Sequence, residues 1–194
     1  MNKGFAVATG EIYGFLNSDD LLLPGALRKV KNAFQKMPSK DVISGNTFII
    51  DEQGIVLRKY YSRSFSILAY VYGVTIAQSS TFFRASVYRN TKGFNIENRV
   101  AWDGELWVDL ALSGANFGKI DTFLSCFRVY PQSISGSRRM QEEYTQYHER
   151  MFRKVKGRER ASIDQIVRLA MKAIEYSRHP RELAERLVKG PVIP

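Results

Sequence analysis

Apolar residues recur with two different periods along the first 136 residues, and the alternation predicts an α/β arrangement. An apolar run predicts a buried strand over 12–17. After Pro24, apolar residues recur at helical spacing, which predicts a helix that ends at Pro38. Two β-branched segments around a Gly-containing turn predict a hairpin over 41–60. The same patterns predict helices over 2–9, 64–73, 85–90 and 103–113, and strands over 80–84, 116–120 and 123–130.

Residues 137–194 contain no strand signal. Three amphipathic helices are predicted there, near 138–157, 162–178 and 180–189. The chain is therefore expected to divide into an α/β domain over 1–136 and a basic helical appendage over 137–194. With 44% hydrophobic and 25% charged residues, it can bury a core and is not intrinsically disordered.

The charge is uneven along the chain. Residues 1–137 carry 15 basic and 11 acidic side chains, which gives +4, whereas residues 138–194 carry 14 and 8, which gives +6. A basic tail suggests an anionic partner such as a phosphorylated ligand, an acidic membrane surface or nucleic acid. A solvated basic helical face explains the same charges equally well.

The remaining composition constrains compartment and cofactor. Cys126 is the single cysteine, so no intrachain disulfide can form, and its apolar setting favours a buried thiol over a nucleophile. The N-terminus has no signal-peptide pattern, and no apolar run is long enough to span a bilayer. We therefore expect a cytoplasmic protein that is soluble or peripheral to a membrane. His148 and His179 lack the spacing of zinc ligands.

The first candidate site is the run Asn17-Ser18-Asp19-Asp20, which follows the predicted strand over 12–17. Carboxylates at the end of a buried strand suit a divalent cation, because one or two of them can hold the ion and leave positions open for phosphate oxygens. The alternative is purely structural, since Asn, Ser and Asp are common in turns and helix caps.

Two further segments are candidates for the reacting groups. Asp103 begins an amphipathic helix after a loop, where a carboxylate can act as a general base or simply cap the helix. The run Gln78 to Arg84 places polar residues before an aromatic strand, so Gln78 either lines an acceptor pocket or belongs to a polar entry loop.

In their order along the chain, these segments resemble family 2 glycosyltransferases. The resemblance covers about residues 1–135 and rests on Asn2-Lys3-Gly4, Ala8 to Ile12, Phe15 to Asp20 with Pro24 and Leu27, Gln78 to Tyr88 with Gly93-Phe94, and Trp102 to Trp107 through Gly114. It implies a GT-A fold with a mixed, mostly parallel sheet flanked by helices. It also implies inverting transfer of a sugar from a nucleoside-diphosphate donor, with Mn²⁺ or Mg²⁺ as cofactor.

The resemblance implies a role for four residues. Asp19 and Asp20 match the acidic motif that binds metal and donor; we expect Asp20 to contact the metal and Asp19 a ribose hydroxyl or the metal. Asp103 matches the catalytic base, and Gln78 falls where the family often has a polar residue near the acceptor. The acceptor itself is expected to be a sugar or a lipid-linked molecule, presented at an anionic membrane surface that the basic helices face.

One part of the family pattern has no counterpart here. Nothing in the chain matches the two strands that hold the nucleotide base and ribose, so the GT-A-like domain is expected to be incomplete and its nucleotide affinity poor. The strand over 12–17 would then expose a sheet edge, which a second copy could cover. An inactive glycosyltransferase-like association module is the alternative to an enzyme. Nucleic-acid binding is disfavoured because no recognition module is present.

Overall fold

A computed structural model describes residues 1–133 and 139–190. Six strands are present in these ranges: β1 (Ile12–Tyr13), β2 (Leu21–Leu22), β3 (Val42–Ile50), β4 (Val56–Tyr60), β5 (Thr81–Arg84) and β6 (Phe117–Arg128). The helices are α1 (Asn2–Val7), α2 (Ala26–Lys36), α3 (Ile67–Val71), α4 (Ala85–Arg89), α5 (Trp102–Leu112), α6 (Gln141–Lys156), α7 (Ser162–Arg178) and α8 (Pro180–Lys189). A 3₁₀ turn spans Gln78–Ser80.

The strands form one mixed sheet in the order β1-β5-β3-β6-β2. β3 is the central strand. One of its edges pairs with β6 from Val42 to Ile50, and the other edge pairs with β5 in its first half and with β4 in its second half. The predicted hairpin over 41–60 is therefore confirmed as β3 and β4. The mixed α/β sheet is confirmed as well.

The expectation that the sheet is mostly parallel needs correction. Among the described strands, β3 and β6 form the one parallel pair, and the other four pairings are antiparallel. A parallel pair requires a long crossover, and the chain supplies one between β3 and β6 through α3, α4 and α5. β4 follows β3 after a short turn, which forces the antiparallel direction.

The predicted strand over 12–17 is shorter than its apolar pattern indicated. Ladder pairing ends at Tyr13, and the chain continues through Phe15 as an irregular segment. Phe15 packs against Trp102 and Phe94, with ring centroids 5.1 and 5.3 Å away, so side-chain packing rather than strand pairing explains its apolar character. β1 lies at one end of the described sheet; coverage of this edge by a second copy stays a prediction.

Two other expectations change in detail. Residues 116–120 and 123–130, predicted as two strands, form the single strand β6. In α2 the buried residues are Ala26, Val30, Ala33 and Phe34. Leu27, which the helical spacing placed on the same face, is 63% exposed. Cys126 on β6 is half-buried, and burial raises the pKa of its thiol.

The C-terminal helices share the main core. Tyr147, Met151 and Phe152 of α6 belong to the same buried cluster as Trp107 of α5 and Tyr70 of α3. The division of the chain at residue 136 stays a prediction, but α6 is packed as part of the α/β unit. None of the helices in the described ranges combines the length and hydropathy that a transmembrane span requires.

Candidate active site

A cavity of about 750 Å³ lies beside the central strands, and it brings together three of the four predicted site residues. Asp19, Gln78 and Asp103 all line it, although they come from three distant parts of the chain. Aromatic, hydroxyl and cationic side chains complete the wall, among them Thr47, Tyr60, Tyr70, Ser79, Arg99, Trp102, Trp107, Arg128, Arg139, Tyr144 and His148. The size is typical of a pocket for a small-molecule ligand.

Asp20, the fourth predicted residue, is turned away from the cavity. It is 4% exposed and does not belong to the cavity wall. Its Oδ1 accepts a hydrogen bond from the backbone N–H of Arg128 at 2.9 Å, and its Oδ2 accepts one from Nδ2 of Asn17 at 3.2 Å. Burial raises the pKa of Asp20 to about 6, with a smaller contribution from the neighbouring Asp19 carboxylate.

Arg128 fixes the position of this acidic turn. Besides the bond to Asp20, its Nε donates to the carbonyl of Asp19 at 2.9 Å. Its Nη1 donates to the carbonyls of Asp51 and Glu52, each at 2.7 Å, at the turn between β3 and β4. One arginine side chain thus joins the acidic turn to the end of the hairpin.

Gln78 joins the acidic turn to the 3₁₀ turn on the other side. Its Nε2 donates to the carbonyl of Phe15 at 2.6 Å, and its Oε1 accepts from Nδ2 of Asn17 at 3.3 Å. Both ends of the amide therefore hold the segment before Asp19 in place. The predicted contact of Gln78 with an acceptor is untested by these bonds.

Asp103 lies in the first turn of α5, as the sequence predicted, and faces the cavity. The helix begins from Ala101, whose backbone has φ 44° and ψ 37°, the left-handed region; in the described chain it is the one non-glycine residue with positive φ. Such strain is concentrated at functional sites. Burial raises the pKa of Asp103, although backbone N–H groups of Asp103 and Gly104 stabilise its charged form.

Gly104 allows α5 to approach two buried tyrosines. A Cβ atom at this position would lie 1.6 Å from the hydroxyl of Tyr70 and 2.5 Å from that of Tyr147. The two hydroxyls are hydrogen-bonded to each other at 2.7 Å. The close packing of α3, α5 and α6 at Gly104 therefore fixes the position of the preceding residue, Asp103.

Glu105, two residues after Asp103 in α5, connects several elements around the site. It is 7% exposed and accepts hydrogen bonds from Asn95 and Asn98, the latter at 2.7 Å. Arg150 of α6 donates to the same carboxylate at 2.9 Å. Glu105 thereby ties the loop that precedes α5, and the helix α6, to the base of the site.

The cavity also contains residues that sequence reasoning missed. Arg99 and Arg139 are exposed cations on its wall, and His148 reaches it from α6. The indole Nε1 of Trp107 is buried and has no hydrogen-bond partner among the described residues. No local motif marks these positions; their aromatic or basic character was visible, but their convergence depends on the fold.

The residues that the structure describes contain no cluster of three or more His, Cys, Asp or Glu side chains that could enclose a metal ion. In the acidic turn, Asp19 lines the cavity and Asp20 does not. Hard divalent cations such as Mg²⁺ commonly take one or two protein carboxylates and complete their coordination with substrate phosphates and water. The residues present are compatible with this open mode of binding, in which Asp19 would supply the protein ligand.

Residues 1–96 match the sequence model of the family described as "Glycosyl transferase family 2". An uncharacterized glycosyltransferase of Nostoc sp., alr2836, is 40% identical over 57 residues, which cover 26% of this chain and 18% of that protein. The match to the family therefore includes the acidic turn and Gln78.

Solved structures show the same fold. S. aureus TarS superposes with a TM-score of 0.56 at 15% identity, over 92% of this chain and 30% of TarS. S. aureus TarS 1–349 in complex with UDP superposes with a TM-score of 0.56 at 16% identity, over 92% of this chain and 49% of that one. The chain thus spans less than half of the TarS chains that it matches, and its residues 1–96 belong to glycosyl transferase family 2, within the predicted GT-A-like α/β fold.

Proposed function

We propose that this chain transfers a glycosyl group from a nucleoside-diphosphate sugar to an acceptor hydroxyl, with inversion at the anomeric carbon. The observation that carries the proposal is the convergence of Asp19 and Asp103 on one cavity. One carboxylate suits the diphosphate end of a donor and the other suits proton abstraction. A TarS structure in complex with UDP supports a nucleotide ligand for this cavity.

Asp103 would act as the general base. It accepts the proton of the acceptor hydroxyl as that oxygen attacks the anomeric carbon from the face opposite the diphosphate. Because burial raises its pKa, the ionised carboxylate is a stronger base than an exposed aspartate. Hydrogen bonds from the Asp103 and Gly104 backbone N–H groups oppose this increase, because they stabilise the ionised carboxylate.

Asp19, rather than Asp20, is the residue that we assign to the metal. Asp20 is buried and both of its oxygens already accept hydrogen bonds, whereas Asp19 lines the cavity. When bound, Mn²⁺ or Mg²⁺ would neutralise the charge that develops on the diphosphate leaving group. Asp20 would then support the acidic turn through Arg128 and Asn17 instead of contacting the ion.

Positive side chains around the cavity favour an anionic donor. Arg99 and Arg139 are exposed on the wall and can approach phosphate oxygens, while Arg128 is held by backbone carbonyls. Preorganised cations that stabilise developing charge contribute strongly to catalysis of group transfer. Gln78 lines the same cavity, where it would shape the wall that an acceptor meets. The acceptor class that we propose is a sugar or a lipid-linked molecule.

A test measures sugar release or transfer from UDP- and GDP-sugars with Mn²⁺. Asp103→Asn should lower the rate by about 10²- to 10⁴-fold, which is the usual contribution of a general base. Asp109→Asn is the matched control, since Asp109 lies on the same helix, pairs with Lys154 and does not line the cavity. Equal rates for the two variants would contradict the role of Asp103.

Nucleotide binding is tested separately by thermal shift with UDP or GDP and Mn²⁺. We expect a metal-dependent increase in Tm that Asp19→Asn abolishes and Asp20→Asn preserves. No response to any nucleotide with metal would support the non-enzymatic alternative, a glycosyltransferase-like association module. A response that depends on Asp20 and not on Asp19 would contradict the assignment of the metal ligand.

A further inference from the structure

The helix α7 presents its apolar side to solvent. Six residues form a continuous strip on this side, which we call the outer stripe: Ile163, Ile166, Leu169, Ala170, Ala173 and Ile174. The large members are strongly exposed, with 57% for Ile163, 63% for Ile166, 62% for Leu169 and 50% for Ile174. A helix on the surface of a globular protein ordinarily turns such a face inward.

The opposite side of α7 faces the rest of the protein, because its acidic residues form hydrogen bonds and ion pairs there. Asp164 is 1% exposed and accepts hydrogen bonds from Tyr72 at 2.7 Å and from Arg158 at 2.7 and 2.8 Å. One turn from the other end, Glu175 pairs with Arg63 at 3.4 Å. Val167 and Met171 lie between these anchors and pack against the core.

The charges on the exposed surface of α7 and α8 are basic. Glu182 of α8 forms an ion pair with Arg63 at 2.6 Å. Glu175 and Asp164 are likewise paired with arginine side chains. Exposed basic side chains are present on both helices, namely Arg168, Arg186 and Lys189, together with Arg178, which pairs with Glu175 at 3.3 Å. The outer stripe therefore belongs to a pair of helices whose exposed charges are mostly basic, while most of their acidic groups are neutralised by ion pairs.

We propose that the outer stripe binds the surface of an anionic lipid bilayer. An amphipathic helix with an apolar face and Lys or Arg on its polar side lies in the interfacial plane, where it gains from both apolar burial and attraction to anionic lipid. From Ile163 to Ile174 the stripe is about 16 Å long, which suits a helix lying along the surface. It does not suit one that crosses the bilayer.

A second copy of the chain fits the same stripe less well. Symmetric pairing of two α7 helices would bring the basic residues of both copies together, since a two-fold interface places each patch against itself. Like charges opposed in this way weaken association. An anionic lipid surface instead complements them, and this placement depends on α7 and α8 and not on the proposed transfer reaction.

The experiment is sedimentation of the full chain with phosphatidylcholine vesicles that contain or lack phosphatidylglycerol, over a series of salt concentrations. We expect binding to the anionic vesicles that weakens with salt, and little binding to phosphatidylcholine alone. Ile166→Ser with Leu169→Ser should lower the partition coefficient by about tenfold or more, because two apolar side chains are removed from the interface. Both positions are exposed, so the variant is expected to fold.

Two control variants separate the contributions. Leu27→Ser with Ile96→Ser removes apolar residues that are 63% and 89% exposed elsewhere on the surface, and binding should not change. Arg168→Gln with Lys189→Gln should reduce both the affinity and its dependence on salt.

Three results would overturn the proposal. The first is no binding to anionic vesicles at low salt, and the second is binding that the serine variant leaves unchanged. The third is a concentration-dependent dimer, seen by analytical ultracentrifugation, that the same serine variant dissociates; it would assign the outer stripe to a second copy of the chain.

Discussion

The acidic turn beside the cavity and the first turn of α7 each bury one aspartate, yet the two environments act on it in opposite directions. Asp20 is 4% exposed and Asp164 is 1% exposed. Burial raises the pKa of Asp20 to about 6. In contrast, the Arg158 guanidinium and the Ala161 backbone N–H hold the pKa of Asp164 well below its ordinary value.

The difference lies in the partners rather than in the degree of burial. Asp164 accepts two hydrogen bonds from Arg158 and one from Tyr72. Asp20 receives one backbone N–H and one long amide bond, and another carboxylate, Asp19, stands beside it. A charged donor pair stabilises the ionised form, whereas neutral donors do not fully replace water.

The two regions therefore differ in what they are built to do. The first turn of α7 satisfies its charge completely, which is typical of a structural anchor. The cavity side leaves the charge of Asp103 incompletely compensated, which is typical of a site that handles a proton. Hydrogen bonds hold Asp20 behind the cavity wall, and close packing at Gly104 positions Asp103.

The largest effect that we expect is on this packing. Gly104→Ala would force a Cβ atom into the hydroxyls of Tyr70 and Tyr147. The free energy of unfolding should fall by about 3 kcal/mol or more, since the backbone or both tyrosines must move. Chemical denaturation measures it. In Tyr70→Phe protein the loss should be smaller, and Gly4→Ala, which has no atom within 4 Å of its Cβ, should be harmless.

The next effect concerns Asp20 and has a definite pH dependence. Because its pKa is raised from 3.8 to about 6, the folded protein binds this proton more tightly, so Asp20 favours folding at low pH and that contribution is lost as pH rises through 6. Asp20→Asn should therefore gain stability relative to the parent between pH 4 and 7, by about 2 kcal/mol. Tm measured across this range tests it; a flat difference would contradict the raised pKa of Asp20.

Asp164→Asn should show the opposite sign. With a lowered pKa in the folded protein, Asp164 contributes stability above its ordinary pKa of 3.8, and the contribution is lost as pH falls. At neutral pH, amide hydrogen exchange in α7 should become about tenfold faster in the variant, because the first turn loses its anchor. The difference from the parent should shrink under acid. Unchanged amide hydrogen exchange in α7 would mean that Asp164 does not anchor this helix.

The smallest effect distinguishes the two sides of α7. Ile166→Ser on the outer stripe should change the free energy of unfolding by no more than about 0.5 kcal/mol, because the side chain is already exposed. Val167→Ser, one residue further on the packed side, should destabilise the protein measurably more. Equal effects would mean that the exposed side of α7 is packed in solution.

The sequence predicted most of the framework because the framework is local. The hairpin over 41–60 and the helix that contains Asp103 follow from periodicity and turn residues within each segment. The strand predicted over 12–17 was too long. Phe15 is apolar because it packs against Trp102 in the tertiary structure, not because it belongs to a strand. Periodicity within a short run does not separate these two causes.

The same limit applies to the candidate site. Adjacent carboxylates could be recognised as Asp19 and Asp20, but nothing local decides which of them faces a cavity. That choice depends on Arg128, whose backbone N–H captures Asp20 from a strand more than a hundred residues away. For a similar reason the sequence could not identify Arg99, Arg139 and His148 as site residues. They line the cavity only after α5 and α6 pack together.

Arg128 also makes the acidic turn part of a larger rigid unit. Its side chain bonds the carbonyl of Asp19 on one side and the carbonyls of Asp51 and Glu52 on the other. We therefore expect movement of the acidic turn to displace the exposed tip of the β3–β4 hairpin. Gln53 at that tip is exposed, and Gly54 beside it has open space around its Cβ position. A fluorescent label on the tip would consequently sense ligand at Asp19 without occupying the cavity.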